Sequence, residues 1–359
     1  MSRFLNDRYQ TLEVYTPGEQ PQDMVYTKLN TNESPFPAAP QVVSAIGQKE
    51  VEDLRLYSDP ECKPLIAKLA ETFDVEPENV FVSNGSDDIL NFAFMAFAGQ
   101  PGKAVFPDIT YGFYQVFADL HNIEAVKIPL LEDFSIDYTQ YCGLDSMIVI
   151  ANPNAQVGRV LTVGQLEEII ASNADHVVLI DEAYVDFGAE TCVPLTKKYP
   201  NLLVVQTFSK SRSMAGARLG FAIADKALIE DLNRIKYSTN PYNVNRLTMA
   251  AGVAALEAED YYKNNCKTIM TVRDYTTDAL SGLGFQVIES KANFVLAAHP
   301  AIDGETIYTK LKERGILVRH FSTARIKNYN RITIGTREQM ELLVETLSSI
   351  IGGSTYEDR

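Results

Sequence analysis

The sequence predicts an α/β protein in two parts, a large domain on a mostly parallel central sheet and a smaller α+β domain. Three observations predict it. Short, fully apolar, β-branched runs alternate with helix-period segments along the first two thirds of the chain, the pattern of a parallel sheet covered on both faces. The chain has 359 residues, 46% of them hydrophobic, enough for about two domains with sizeable cores. From about Val244 the pattern changes to a long helical stretch followed by strand and helix signals in turn.

The predicted strands of the large domain are Val80–Val82, Ala104–Phe106, Met147–Ala151, Val177–Ile180, Leu202–Val205 and Leu219–Ile223. Helical patterns such as Ile89–Phe97 and Gln165–Ala171 lie between them. Beyond Val244 one helical stretch runs to about Leu283, followed by strands near Phe285–Ile288 and Phe294–Ala297. A helix near Glu305–Arg314, strands near Ile316–Val318 and Arg331–Ile334, and a last helix from Glu338 complete the chain. The expected division is an N-terminal arm, 1–45, folding back onto the smaller domain, a large domain, 46–243, and the smaller domain, 244–359. The tail Gly352–Arg359 is expected to fray.

Composition excludes several classes. With 32 basic and 47 acidic residues the net charge is −15, which argues against a nucleic-acid partner but leaves small anions open. Cys62, Cys142, Cys192 and Cys266 have neither zinc-ligand nor redox spacing and are too sparse for a disulfide framework, so no metal site and a reducing cytoplasm are expected. No secretory h-region stands at the N-terminus, and no apolar run reaches the ~18 residues of a membrane span, so no membrane association is expected. Phosphate-loop, dinucleotide and His-Glu-x-x-His motifs are absent, and His121, His176, His299 and His320 are scattered.

In open α/β sheets ligands sit at the C-terminal strand edge. Five polar segments follow apolar runs directly and belong there: Ser83-Asn84-Gly85-Ser86-Asp87-Asp88, Asp108-Ile109-Thr110-Tyr111, Asn152-Pro153-Asn154, Asp181-Glu182-Ala183-Tyr184 and Thr207-Phe208-Ser209-Lys210-Ser211. Lys210 alone reads as a solvated loop lysine. Ser209, Ser211 and Arg218 nearby suit a phosphate instead, and a lysine there forms a Schiff base with a carbonyl when its pKa falls from about 10.4. Asp181 ends a buried strand, where an acid needs a partner such as a protonated pyridine nitrogen. Tyr184 lies within reach of a neighbouring phenolate, and Tyr111 offers a flat face for stacking. Gly85-Ser86-Asp87 opens a helix whose free N–H groups make an anion site. Asp87 and Asp88 also suit the helix dipole with no ligand at all.

Together these residues describe a pyridoxal-phosphate site. Thr207-Phe208-Ser209-Lys210-Ser211-Arg212-Ser213-Met214-Ala215-Gly216-Ala217-Arg218-Leu219-Gly220 resembles the lysine motif of the class I/II aminotransferases, and Asp181-Glu182-Ala183-Tyr184 resembles their Asp/Tyr motif. The resemblance covers nearly the whole chain and implies a fold-type-I pyridoxal-phosphate-dependent transferase. Within that family Tyr15–Pro21, Lys28–Pro35, Tyr57–Pro60, Pro241–Asn245 and Arg331–Thr336 resemble the histidinol-phosphate aminotransferase branch. That branch implies L-histidinol phosphate and 2-oxoglutarate as substrates, with imidazole acetol phosphate and L-glutamate as products, a step of histidine biosynthesis. An aromatic or other amino-acid aminotransferase, or an enzyme like the threonine-phosphate decarboxylases, is the alternative.

The resemblance also implies roles. Lys210 holds the cofactor and shuttles the proton, Asp181 keeps the pyridine nitrogen protonated, Tyr184 contacts the 3′-oxygen and Tyr111 stacks on the ring. Gly85, Ser86 and Asp87, with Ser209, Arg218 and Tyr57 from the neighbouring subunit of a homodimer, hold the phosphate. Arg331 meets the substrate carboxylate. Arg319 and Tyr15, the latter also crossing from the neighbour, meet the substrate phosphate, and Asn32 is a further substrate-binding candidate. By residue chemistry alone Arg319 is a strand-end surface arginine and Tyr57 an ordinary turn tyrosine. The chain departs from the family pattern in Asn154-Ala155-Gln156-Val157-Gly158, where Ala155 stands at the place of the asparagine expected at the 3′-oxygen. Either Asn154 reaches that oxygen through a small backbone shift, or Tyr184 acts there alone. Ser34 and Ser58 also replace the more usual Asn and Pro.

Overall fold

The computed structural model describes residues 2–357. A short strand β1 (Thr27–Lys28) and helices α1 (Pro40–Ala45), α2 (Gln48–Glu52) and α3 (Lys63–Phe73) precede the main sheet. Its strands are β2 (Val80–Ser83), β3 (Lys103–Pro107), β4 (Glu124–Ile128), β5 (Met147–Ala151), β6 (Val178–Asp181), β7 (Leu202–Thr207) and β8 (Gly220–Ala224). Helices α4 (Ser86–Phe97), α5 (Phe113–His121) and α6 (Val163–Ser172) cross between strands, and α7 (Lys226–Thr239) follows the last one.

In space the seven strands are ordered β2-β8-β7-β6-β5-β3-β4. All neighbours are parallel except β8, which runs antiparallel to β2 and β7. Alternate residues enter two apolar layers: Val149, Leu179, Leu203 and Val205 lie in one, and Ile148, Ile150, Val178, Ile180 and Val204 in the other. Helices cover both faces, so the central strands are apolar at every position. Edge strand β4 was not among the predicted strands. Its Glu124 and Lys127 are exposed and interrupt the apolar run, as an edge position permits.

The predicted helical stretch from Val244 to Leu283 is two helices, α8 (Arg246–Glu257) and α9 (Glu259–Gly282), separated at Ala258. Then come β9 (Gln286–Ile288), β10 (Phe294–Ala298), α10 (Gly304–Glu313), β11 (Ile316–Leu317), β12 (Arg319–His320), β13 (Tyr329–Thr333) and α11 (Arg337–Glu357). Strands β12-β13-β10-β9 form an antiparallel sheet, and β1 pairs in parallel with β11. The Leu29 amide donates to the Leu317 carbonyl at 2.8 Å, and the Leu29 carbonyl accepts from the Thr333 amide at 3.0 Å. This ladder holds residues 30–33 over the main sheet's C-terminal edge. Helix α11 continues to Glu357 where fraying was expected from Gly352, and Asp358 and Arg359 lie outside the described residues. Among the described residues no helix is long and apolar enough to cross a membrane.

Candidate active site

Neighbouring parallel strands bring two distant segments together. Asp181 closes β6 and is paired in register with Val205 of β7, and the turn after β7 carries Lys210. A cavity of about 480 Å³ lies over these strand ends, lined by Asp181, Tyr184, Ser209, Lys210, Ser86 and Tyr111 among others. Lys210 Nζ donates to the Thr31 carbonyl at 3.3 Å and stands 5.7 Å from the centre of the Tyr184 ring. The Asp181 carboxylate is buried. It accepts from the Tyr114 hydroxyl at 2.7 Å and from the Ala183 amide at 3.2 Å. Burial pushes its pKa up to about 6 despite those two donors, with the Asp87 charge adding to the rise and the Lys210 charge opposing it. A buried acid of this kind calls for a cationic or protonated partner from the cavity side.

The anion cradle is built from backbone. Gly85 takes φ +88° and turns the chain from β2 into α4, whose first turn has no side-chain cap. The N–H groups there are available to an anion, with the helix dipole behind them. Arg218 lies against this turn: a Cβ on Gly85 would come within 2.8 Å of its Nη2. Asp87 is drawn aside, accepting from Arg218 at 3.0 Å and from the Tyr111 hydroxyl at 2.7 Å, so its charge is matched rather than facing the cradle bare. Ser209 is buried beside it, its hydroxyl accepting from Thr207 Oγ1 at 3.0 Å.

Gly220 begins β8 against the same turn. A Cβ there would run into the Ser86 nitrogen and come within 2.5 Å of the Gly85 carbonyl carbon. Both are main-chain atoms with little room to give. Gly220→Ala is therefore expected to displace the cradle. Overpacking strain of about 1–3 kcal/mol, relieved by the turn, corresponds to roughly tenfold weaker retention of a phosphate-bearing ligand. Titration of the cofactor-free protein with pyridoxal phosphate measures this, and unchanged affinity would show that the turn is not the cradle.

A second cavity of about 630 Å³ shares Lys210, Tyr184 and Tyr111 with the first and adds Tyr15, Arg319 and Arg331. Arg331 donates from Nη1 to the Ala155 carbonyl at 2.8 Å and to Gln156 Oε1 at 3.2 Å, and from Nη2 to the Asn30 carbonyl at 3.4 Å. Its Nε is buried without a hydrogen-bond partner, and burial lowers its pKa. Arg319 donates to the carbonyls of Thr16 at 2.9 Å and Pro17 at 3.1 Å, so it also fastens the arm that carries Tyr15. A chain of net charge −15 thus gathers Lys210, Arg319 and Arg331 around one chamber.

Three expectations meet a different arrangement. Asn154 does not turn toward the cavity: its Nδ2 donates to the Ile109 carbonyl at 2.9 Å, and its Oδ1 accepts from the Gln156 and Val157 amides at 2.9 and 3.1 Å. Its carboxamide is committed to the turn, and Ala155 lines the cavity in its place. Tyr15, expected to cross from a neighbour, lines the chamber of its own chain, its ring stacked on Phe113 at 4.2 Å and resting on Gly112, where no Cβ intervenes. Asn32 borders the chamber, but its carboxamide is held by Tyr184 and Thr333, at 2.9 and 3.0 Å, rather than left open for substrate. Tyr57, expected at the phosphate of a neighbouring subunit, stands apart from both cavities of its own chain, 81% exposed and stacked on Tyr242 at 4.6 Å.

Sequence reading missed Tyr114, the phenol that donates to Asp181. Its only signal was a polar tip on the buried face of α5, which marks the need for a partner but not which one. The arrangement as a whole fits pyridoxal phosphate: a Cβ-free anion turn at one end, a buried carboxylate of raised pKa at the other, and an amine and a phenol between them.

The comparisons agree with this fit. Residues 25–347 match the family Aminotransferase class I and II. The chain is 51% identical to histidinol-phosphate aminotransferase of Brachyspira hyodysenteriae over 98% of this chain and 99% of that protein. It is 48% identical to the enzyme of that name from a Marinomonas species, over 98% of this chain and 100% of that protein. Among solved structures, histidinol-phosphate aminotransferase from Sinorhizobium meliloti in complex with pyridoxal-5′-phosphate superposes with a TM-score of 0.86 at 22% identity, covering 98% and 99% of the two chains, and shares the fold.

Proposed function

The chain belongs to the class I and II aminotransferases, and on that premise we propose that it transfers the amino group of L-histidinol phosphate to 2-oxoglutarate. The observation that carries this reading is the single chamber in which Arg319, Arg331 and Tyr15 stand beside Lys210. Such a chamber suits substrates with an amine at one end and an anionic group at the other, as a phosphate monoester and a dicarboxylic amino acid both are. The full-length relatives named for this reaction support the choice of donor.

Pyridoxal phosphate, when bound, supplies an aldehyde carbon and a ring that withdraws electrons. Lys210 Nζ would hold that carbon and would carry a proton between the substrate α-carbon and the cofactor's C4′. The Asp181 carboxylate, oriented by Tyr114 and the Ala183 amide, keeps the ring nitrogen protonated. Tyr184 would direct its hydroxyl to the 3′-oxygen, and Tyr111 would give the ring a stacking face. The amides of Ser86 and Asp87, with Ser209 and Arg218, would hold the phosphate, while the Gly85 amide donates to the Ser83 carbonyl at 2.9 Å and shapes the turn. Arg331 takes the carboxylate of the glutamate half-reaction, and Arg319 with Tyr15 takes the substrate phosphate.

Half-reactions test the substrate. L-Histidinol phosphate and L-glutamate are each expected to convert the yellow enzyme to its pyridoxamine form, with 2-oxoglutarate restoring the colour. Faster conversion by aromatic amino acids would point to the alternative aminotransferase reading. Release of carbon dioxide from threonine phosphate would point to a decarboxylase.

The same reading includes a homodimer with shared sites in the cytoplasm. Its support is local: Tyr57 is exposed on a face that also exposes Val51, Leu54, Leu56 and Tyr242, and the four cysteines are free. Mixing Tyr57→Ala with Lys210→Ala under conditions of subunit exchange is expected to restore activity, because a hybrid dimer then has one site with both residues intact. Failure to recover, with exchange demonstrated, would place Tyr57 outside the partner's site.

A further inference from the structure

Tyr184 has an amide partner that the family motif does not supply. The turn 154–158 presents Ala155 to the cofactor cavity, and the Asn154 carboxamide is used within the turn. A carboxamide does reach Tyr184, from Asn32, about 150 residues away, whose Nδ2 donates to the Tyr184 hydroxyl at 2.9 Å. Asn32 is 1% exposed and takes φ +56°, a conformation that asparagine tolerates better than most residues.

Every polar group of Asn32 is anchored. Its amide N–H donates to Thr333 Oγ1 at 3.0 Å, and its Oδ1 accepts from the same hydroxyl at 3.0 Å. Its carbonyl accepts from Asn293 Nδ2 at 3.0 Å. Thr333 ends β13, and Asn293 adjoins Phe294 of β10, whose ring meets Tyr184 edge-on at 5.2 Å. With the Thr333 hydrogen given to Oδ1, the Asn32 NH₂ faces Tyr184. The Tyr184 oxygen is then the acceptor, and its own hydrogen is free to point into the cavity it shares with Lys210.

We infer that Asn32 is the positioning residue that directs the Tyr184 hydroxyl into the cofactor cavity, where alanine at 155 offers no polar side chain of its own. This rests on the reading of the cavity as a pyridoxal-phosphate site. Asn32 acts through Tyr184 and is itself held by Thr333 and Asn293 of the C-terminal sheet region. A shift of that region relative to β6 therefore alters the aim of a hydroxyl at the reacting centre.

The test is made on the holoenzyme by following the bound cofactor's absorbance against pH. Asp181, Asp87, Glu33, Arg218, Tyr15, Tyr111, Arg319 and Arg331 also face this space, but they are common to every variant, so in variants that add no charge a shift in midpoint reports on the Tyr184 hydroxyl. Asn32→Asp offers only an acceptor and turns the Tyr184 hydrogen away from the cavity, and because its added charge acts in the same direction, the uncharged variants Asn32→Ala and Thr333→Val carry the assignment. The midpoint is expected to rise by about one unit, because a 3′-oxygen that loses its donor binds the shared proton more tightly. Asn32→Ala is expected to shift it the same way and to lower kcat roughly tenfold with little change in KM. Adding Ala155→Asn to Asn32→Ala is expected to return the midpoint toward that of the parent.

Thr333→Val removes the anchor but keeps Asn32, and a smaller shift in the same direction is expected. That variant carries the test if Asn32→Ala does not fold. Unchanged midpoints in Asn32→Ala and Thr333→Val, with the cofactor bound, would overturn the inference and leave the proposed function standing. A parent protein that shows no cofactor absorbance would overturn the proposed function itself.

Discussion

Lys210→Ala is expected to abolish turnover, a loss on the order of 10⁴ or more, because one amine supplies both the covalent anchor and the proton shuttle. The variant is expected to fold, since Lys210 gives up only a single 3.3 Å bond to the Thr31 carbonyl. Borohydride reduction of the parent followed by peptide mass spectrometry checks the assignment, with the adduct expected on Lys210. The instructive competitor is Lys236, whose pKa burial lowers. A depressed pKa alone would nominate it as the nucleophile. Its ammonium, however, donates to the carbonyls of Pro60 at 3.0 Å and Val82 at 3.4 Å, which makes it a fastening between two backbone segments. An adduct on Lys236, or on Lys103, would sink the active-site assignment.

Asp181→Asn is expected to act in opposite directions on activity and on stability. It keeps the shape and removes the charge that a protonated ring nitrogen needs, so turnover is expected to fall by about 10²–10³. In the cofactor-free protein the same charge is a burden. Burial raises the Asp181 pKa from 3.8 to about 6. Well below pH 3.8 the carboxyl is protonated in folded and unfolded chains alike, and it costs nothing. As pH rises toward 6 the unfolded chain ionises first, so stability is lost across that window and stays lost above it. The penalty is roughly 3 kcal/mol at most. Cofactor-free Asp181→Asn is therefore expected to resist denaturation better than the parent at pH 7 and to lose most of that advantage by pH 4. Urea unfolding at both pH values measures it. Equal stability at pH 7 combined with near-normal turnover would reduce Asp181 to a structural strand-end acid.

The proposed mechanism also explains why so much of this site was legible beforehand. Asp181 and Lys210 each follow an apolar strand directly, and parallel neighbours put their C-terminal ends on one edge. The anion turn was legible because glycine followed by helix-start residues encodes both its shape and its free N–H groups. In each case the chemistry is carried by a few consecutive residues, and only the strand must be recognised.

What sequence by itself determined, then, is the α/β architecture, the central strands and the residues that ride on their ends, because burial and period are local properties. Strand β4 escaped because an edge strand is half solvated, and its charges hide the apolar signal. Only tertiary structure decided the partners: Tyr114 on Asp181, Asn32 between Tyr184 and Thr333, Asn154 spent on its own turn, and Tyr15 in the chamber of its own chain. Asn32 and Thr333 are 301 positions apart. A carboxamide carries the same need for partners wherever it stands in a sequence. Which groups meet that need depends on the path of the chain, and here the pairing of β1 with β11 sets that path.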